Sequence, residues 1–198
     1  YEDNNGRLWI SDFRSINSFE NNQLIKYSFS KEFWSDDYTV SYKIAEDNEG
    51  NILASSWSGF LFQFNNKTKT FDQIDFKFSG NTFIENLNWI DDHFYLSTSK
   101  GLFRFRFINN QIIDFQKVID IADITAAVKW KNNKILIGSK NKGVFVFDYQ
   151  TNTLEEIIGL RRNIVKNIFV DEHNGIWVAS DQGLILIKEN NFKKINVD

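Results

Sequence analysis

Few residues in this sequence could carry catalysis. The chain has two histidines, His93 and His173, and no cysteine. It contains no Gly-x-Ser-x-Gly motif and no glycine-rich loop of the kind that cradles phosphate. A histidine acts as a general base when a nucleophile or carboxylate cluster accompanies it, and these two fall instead in predicted hairpin turns. The sequence therefore predicts no catalytic residue and no enzymatic activity for this segment.

Two acidic turns are superficially similar to calcium-binding loops. They read Asp3-Asn4-Asn5-Gly6 and Asp47-Asn48-Glu49-Gly50. A calcium loop of the EF-hand type runs for about twelve residues and ends in a bidentate glutamate, whereas these turns run directly into an apolar strand. Asn-Gly and Glu-Gly beside a strand are typical of hairpin turns whose side chains bond their own backbone. We therefore expect no metal site and no cofactor.

A third group of residues could bind a ligand, because it lies in predicted loops along one rim of the fold. Loops on a rigid scaffold commonly carry recognition, arginine supplies directed donors, and tryptophan offers a stacking surface. The candidates are Arg14, Trp34, Trp57, Lys100, Lys140, Lys142, Arg161, Arg162 and Asp181. Six of them are cationic in a chain of net charge −3, which predicts an oligosaccharide or another small anionic ligand. The alternative is a solvated charged face with tryptophans packed between sheets.

Alternating aromatic and basic residues raise the question of nucleic acid. Arg104 and Arg106 alternate with Phe103, Phe105 and Phe107. Such interleaving occurs where bases stack on exposed rings, but the chain is acidic overall and lacks the basic surface that binding requires. We expect the phenylalanines to face a neighbouring sheet and the arginine stems to cover the other face, with no nucleic-acid partner.

The elements that must position these loops follow from an internal repeat. An acidic turn precedes a short apolar strand, and a glycine then starts a second apolar strand. The glycines stand at positions 59, 101, 143 and 183, which are 42, 42 and 40 residues apart. Repeats of about 40 to 45 residues with several strands each are typical of β-propeller blades. The sequence predicts an all-β fold, a β-propeller of four-stranded antiparallel blades, with about five repeats near residues 1–29, 38–74, 83–118, 124–158 and 164–198.

The repeat also predicts details of the blades. The third strand of each repeat, such as the one that Gly143 begins, is too apolar for a sheet with one wet face, so we expect burial on both faces. The glycine that begins this strand permits a positive φ or the close approach of another backbone segment. The first repeat has no room for its first strand, which predicts a larger, seven-bladed parent propeller and an exposed blade edge that associates.

The composition narrows the cellular setting. No apolar run approaches the roughly 20 residues that a membrane helix needs, so we expect no direct insertion into a membrane. Without cysteine the fold requires no disulfide and no thiolate metal site.

Residues 46–64, followed by Thr68 to Phe71, resemble the two-component regulator propeller repeat. The pattern of that family is approximately E-D-x-x-G-x-[IL]-W-[IV]-G-T, then G-[GL]-x-x-[FY], then T-x-x-F. Residues 2–11 and 171–185 match it well, while residues 91–105 and 131–147 match its hydrophobic skeleton and glycine. Leu53, Tyr95 and Leu136 stand where the family has tryptophan.

The resemblance implies a location and a role. Such repeats form the periplasmic sensor region of large hybrid histidine kinases from Bacteroidetes, which respond to ligands derived from polysaccharides. It implies partners too: further blades or domains of the parent chain, and a homodimer of the parent sensor. The alternative is a secreted or cell-surface interaction scaffold or lectin-like propeller. A propeller lyase similar to streptogramin-inactivating enzymes is a weaker alternative. It would need a histidine on a channel-facing loop, and neither His93 nor His173 is predicted to lie on one.

Overall fold

The computed structural model describes residues 1–12, 15–29, 42–76, 78, 81–188 and 191–195. Two candidate ligand-binding residues, Arg14 and Trp34, lie outside these ranges. Strands make up the fold, and a single 3₁₀ turn at Ile158–Leu160 is the one helical element within the described ranges.

Within the described ranges, nineteen strands follow the predicted repeat. The first three are β1 (Leu8–Ser11), β2 (Ile16–Glu20) and β3 (Gln23–Phe29). The second repeat has β4 (Tyr42–Glu46), β5 (Ile52–Ser56), β6 (Leu61–Asn65) and β7 (Thr70–Gln73). The third has β8 (Ile84–Ile90), β9 (His93–Thr98), β10 (Gly101–Ile108) and β11 (Gln111–Ile119). The fourth has β12 (Ile124–Lys129), β13 (Lys134–Ser139), β14 (Gly143–Asp148) and β15 (Thr153–Glu156), and the fifth has β16 (Val165–Val170), β17 (Ile176–Ser180), β18 (Gly183–Lys188) and β19 (Asn191–Ile195).

Each complete repeat forms a four-stranded sheet in which neighbours along the chain pair side by side. The antiparallel register runs, for example, from β12 through β13 and β14 to β15. The predicted four-stranded antiparallel blades are therefore confirmed. The first repeat differs, because its edge strand β3 pairs in parallel with β7 at Ser28↔Thr70 and Phe29↔Phe71, which joins seven strands into one sheet.

The chain divides into two compact units. The first unit comprises residues 1–96 and 103–116, and the second comprises residues 97–102 and 117–198. Within the first unit, Trp9 and Tyr27 pack edge-on against Phe64 with ring centroids 4.9 and 5.0 Å away. A second core there joins the sheet of β4 to β7 with β8 and β10, and it buries Phe105 and Phe107 as expected from their alternation with arginines.

The second unit has its own core, where β16 packs on β12 and β13. Val165 and Ile168 of β16 lie directly on Gly138 of β13. A side chain at position 138 would place its Cβ 2.6 Å from Cγ1 of Val165, so the glycine lets the two sheets approach.

Burial follows a different strand from the one we expected. All residues of β5 and five of the six residues of β13 are buried, whereas the third strands β10 and β14 alternate between buried and half-buried positions. The first strand of the next blade lies on the first two strands of the preceding sheet, so the second strand receives cover on both faces. Half-buried residues of β10 and β14 line surface clefts, as Arg104 and Arg106 of β10 and Phe145 of β14 do.

The acidic turns are closed by their own hydrogen bonds. Asp3 Oδ1 accepts from the backbone N–H groups of Asn5 and Arg7 at 3.0 and 2.9 Å, and Oδ2 accepts from Trp9 Nε1 at 2.8 Å. In the second repeat, where Leu53 replaces tryptophan, Asn51 Nδ2 donates to Asp47 Oδ2 at 2.8 Å instead. These carboxylates cap hairpin turns, and among the described residues no cluster of three metal-ligating side chains occurs.

Within the described ranges, no helix has the length and hydropathy needed to cross a membrane.

Candidate ligand-binding cleft

A surface cleft of about 630 Å³ lies within the second unit. Three segments form its walls: the loop from β11 to β12, the turn from β13 to β14, and the loop from β15 to β16. Its lining consists of Asp120, Ile121, Ala122, Asn141, Lys142, Phe145, Glu156, Arg161 and Arg162. Three of these, Lys142, Arg161 and Arg162, are among the ligand-binding residues predicted from sequence.

The loop from β15 to β16 is anchored from below. Leu160 is 2% exposed and packs in the core of the second unit. Its N–H donates to the carbonyl of Ile157, and the N–H of Ile157 donates to the carbonyl of Val144 on β14, both at 2.9 Å. The loop is therefore tied to the neighbouring strand before it reaches Arg161 and Arg162, which project from a fixed backbone.

Gly143 brings the two cationic segments together. Its φ is +81°, and a Cβ at this position would lie 2.2 Å from the carbonyl oxygen of Leu160 and 3.3 Å from Cα of Arg161. Glycine suits this position because it tolerates the positive φ and, having no Cβ, leaves room for the crossing backbone. Lys142, the preceding residue, is thereby placed beside the loop that carries the two arginines.

The opposite wall is held by the same turn. Asn141 Nδ2 donates to Asp123 Oδ2 at 2.6 Å, and Ser139 Oγ donates to the carbonyl of Ala122 at 3.1 Å. The N–H of Lys140 donates to the carbonyl of Asp123 at 2.9 Å. The turn from β13 to β14 thus fixes both walls, which makes the cleft a preformed feature of the second unit.

The charges of the cleft divide into paired and unpaired groups. Glu156 Oε1 lies 3.4 Å from Arg161 Nε, and Asp120 Oδ1 lies 2.7 Å from Lys117 Nζ. Lys142 and Arg162 are exposed and form no ion pair with any residue that the structure describes. The cleft therefore presents two uncompensated cations next to two satisfied carboxylates.

The backbone of Arg162 is strained. Its φ is +72°, in the left-handed region that costs a residue with a side chain about 1–2 kcal/mol. Sparsely populated backbone conformations of this kind cluster at ligand-binding sites, where the surrounding structure holds them in place.

The remaining predicted residues lie elsewhere. Lys140 belongs to the turn but not to the cleft lining, and Lys100 and Asp181 occupy the corresponding turns of the third and fifth repeats. Asp181 accepts hydrogen bonds from Gln182 Nε2 at 3.0 Å and from the N–H of Ile164 at 2.9 Å. These bonds hold the pKa of the Asp181 carboxyl below its ordinary value, and they indicate a role in closing the loop before β16.

Trp57 lies in the first unit, in the turn from β5 to β6. Its indole stacks on the ring of Phe83 with centroids 4.1 Å apart and planes 15° from parallel. One face of the indole is therefore covered by another side chain. A ligand that stacks on Trp57 must therefore use the other face of the indole.

Sequence reasoning missed the aromatic residue of the cleft. Phe145 and Phe147 occur in the same apolar strand, but Phe147 is buried whereas Phe145 is half-buried and lines the cleft. Glu156 was also missed, although it pairs directly opposite Phe145 across β14 and β15. Residues two positions apart share a face of a strand, so alternation places Phe145 and Phe147 together and does not reveal that one of them borders the loops of the cleft.

The other chemically suggestive residues serve local contacts. His93 Nδ1 lies 2.5 Å from Oδ1 of its neighbour Asp92, and His173 is exposed in its turn. Arg106 Nε donates to Asp114 Oδ2 at 3.0 Å, so this arginine is engaged within its own sheet.

Comparison with known proteins rests on structure. No protein-family model matches the sequence, and no curated protein matches it. Solved structures do match. The extracellular domain of BT3049 from B. thetaiotaomicron, described as a hybrid two-component system, has 16% identity and a TM-score of 0.74, with 98% of this chain and 29% of that chain covered.

Two further structures extend the comparison. PorZ, a surface component of the type-IX secretion system of Porphyromonas gingivalis, has 15% identity and a TM-score of 0.70 over 96% of this chain and 32% of its own. A streptogramin B lyase has 11% identity and a TM-score of 0.76 over 100% of this chain and 68% of its own. The chain therefore spans less than a third of the first two proteins. At these identities the likeness concerns the fold, and the fold is a β-propeller.

Proposed function

We propose that this chain is part of the propeller region of a periplasmic sensor whose repeats belong to the two-component regulator propeller class. In this role it recognises a carbohydrate-derived ligand and performs no chemistry itself. The observation that carries the proposal is the preformed cleft, in which Lys142 and Arg162 remain unpaired on anchored loops. The likeness to the extracellular domain of BT3049 supports the cellular setting.

Non-catalytic recognition fits the chemistry of the cleft. Its lining holds three cations, two carboxylates and an amide but no histidine, serine, threonine or tyrosine. The carboxylate of Glu156 lies 3.4 Å from Arg161 Nε, and that of Asp120 lies 2.7 Å from Lys117 Nζ, so both are engaged in ion pairs. Such a site binds and orients a ligand.

A secreted or cell-surface scaffold is the second candidate, and the likeness to PorZ favours it. A scaffold would use the same rim for a protein rather than for a sugar. Lyase activity has a structural neighbour as well. It would require a histidine beside the reacting bond, and His93, the first residue of β9, instead contacts Asp92 of the preceding turn.

Calorimetric titration of the chain with neutral and acidic oligosaccharides tests the proposal. We expect saturable binding of at least one class, together with an unchanged covalent structure of the sugar by mass spectrometry. A folded chain that binds no saccharide would contradict the sensor role and favour the scaffold. Cleavage of the sugar would contradict the non-catalytic assignment.

A further inference from the structure

We propose that the cleft binds a sugar ring carrying a single carboxylate, with Phe145 beneath the ring and Lys142 and Arg162 on the carboxylate. This inference rests on the proposed function and names the ligand class at one site. It also assigns a ligand-binding role to Phe145, which does not belong to the rim loops.

Charge defines the anionic part of the ligand. Arg161 is paired with Glu156 and Asp120 with Lys117, so Lys142 and Arg162 are the two lining cations left for a ligand. A single carboxylate has two oxygens and can contact both cations, whereas a polyanion would also meet the carboxylates of Asp120 and Glu156. Arginine presents a planar fork that matches a carboxylate, and lysine supplies a point charge beside it.

Phe145 supplies the apolar part of the site. Its ring is half-buried, lines the cleft and makes no ring–ring contact with the aromatic residues that the structure describes. Ile121 and Ala122 lie on the same lining. An aromatic face carries partial negative charge and packs against the weakly positive C–H groups of a sugar ring.

Glu156 gives the site hydrogen-bond acceptors for hydroxyl groups. It pairs opposite Phe145 across the strands, so both side chains lie on one face of the sheet. Arg161 Nε lies 3.4 Å from Glu156 Oε1, and carboxylate oxygens accept hydrogen bonds from hydroxyl groups. A ligand with hydroxyl donors beside its charge uses these oxygens, whereas a small inorganic anion would be repelled by them.

The size of the cleft supports a short ligand. A volume of about 630 Å³ falls within the range of roughly 300–1,000 Å³ that is typical of small-molecule sites. One acidic sugar with a neutral neighbour fits this range, and longer glycans would extend out of the open side.

The test is calorimetric titration of the chain with three probes. These are a disaccharide of glucuronate and galactose, the same disaccharide with glucose in place of glucuronate, and sodium sulfate. We expect the acidic disaccharide to bind at least tenfold more tightly than the neutral one, and sulfate not to compete at equal concentration. Equal affinity for the two disaccharides, or full displacement by sulfate, would overturn the assignment.

Variants then locate the binding. Arg162→Gly removes the guanidinium and suits the positive φ, so it should weaken binding at least tenfold without lowering the melting temperature. Phe145→Leu should weaken binding several-fold for both disaccharides. The matched control is Lys166→Ala, which removes an exposed cation on β16 outside the cleft and should leave binding unchanged.

The outcomes separate this inference from the proposed function. If the acidic disaccharide binds but Arg162→Gly and Lys166→Ala behave alike, the cleft assignment fails and the sensor proposal stands. If the chain binds neither disaccharide but binds other saccharides, the ligand class proposed here is wrong. If no saccharide binds, both proposals fail.

Discussion

The indole N–H of Trp177 donates a hydrogen bond to Oδ2 of Asp171 at 2.8 Å, six positions earlier in the chain. The same contact joins Trp9 and Asp3 at the start of the chain, also at 2.8 Å. Each carboxylate additionally accepts two backbone N–H groups of its own turn. The acid and the tryptophan of the repeat are therefore one structural unit, in which the indole completes the cap of the hairpin turn.

Removal of the indole donor should be costly where the pair is buried. In Trp9→Phe, the buried Asp3 keeps its position but loses the donor to Oδ2. We expect a loss of about 1–3 kcal/mol in the free energy of unfolding, because a buried acceptor is left without a partner. Urea denaturation followed by fluorescence or circular dichroism measures it. Trp177→Phe is the matched variant, and we expect a smaller loss because Asp171 is less buried; equal stability of Trp9→Phe and the wild type would contradict the account.

Acidification should destabilise the fold. Hydrogen bonds from Trp177 and Gly175 lower the pKa of Asp171, and backbone N–H groups of Thr151 and Gln150 lower that of Asp148. A carboxyl with a depressed folded pKa stabilises the fold above its unfolded value of about 3.9 and loses that contribution as the pH falls.

We therefore expect a melting temperature that is constant near neutral pH and falls below about pH 4. Scanning calorimetry between pH 7 and pH 3 tests this expectation. Asp171→Asn should be less stable at neutral pH and should flatten the acid limb of the profile. A profile identical to that of the wild type would show that Asp171 does not contribute.

Substitution at Gly143 should disturb both stability and the cleft. An alanine Cβ would lie 2.2 Å from the carbonyl of Leu160, so the loop that carries Arg161 must move. We expect Gly143→Ala to lower stability by several kcal/mol and to weaken ligand binding.

Gly50→Ala distinguishes the cost of a positive φ from the cost of the close backbone approach at Gly143. Gly50 also has a positive φ, +82°, but a Cβ there would meet its nearest atom at 3.8 Å. This variant should cost only the left-handed conformation, about 1–2 kcal/mol. Equal losses in the two variants would show that the close approach at Gly143 is unimportant.

An exposed apolar row in the first repeat should promote self-association. Leu8 pairs with Phe19, and Phe19 pairs with Leu24, across three adjacent strands. These side chains are 42%, 44% and 62% exposed. Contiguous apolar surface of this kind favours association.

We expect Phe19→Lys with Leu24→Lys to reduce the mass measured by light scattering without lowering the melting temperature. Ile158→Lys is the control, because Ile158 is 81% exposed but stands in the 3₁₀ turn of the other unit. Unchanged association in the double variant would exclude this face as its cause.

The blade elements could be predicted from the sequence because their signals are local. A hairpin turn, its acidic cap and the strand that follows lie within about ten contiguous residues, and their chemistry does not depend on distant segments. The third strands of the fourth and fifth repeats, Gly143–Asp148 and Gly183–Lys188, begin at their glycines as predicted. The positive φ expected at the repeated glycines is also observed, as at Gly143 and Gly183.

The cleft required the tertiary structure. Lys142 and Arg161 were named as candidates one by one, but nothing near either residue in the sequence shows that they share a site. Their proximity arises because the backbone at Leu160 crosses Gly143, and Phe145 faces the cleft because that crossing loop rises beside it. The sequence determined which turns and strands form, since those depend on neighbouring residues; the tertiary structure decided which loops meet, since that depends on packing between segments that are remote along the chain.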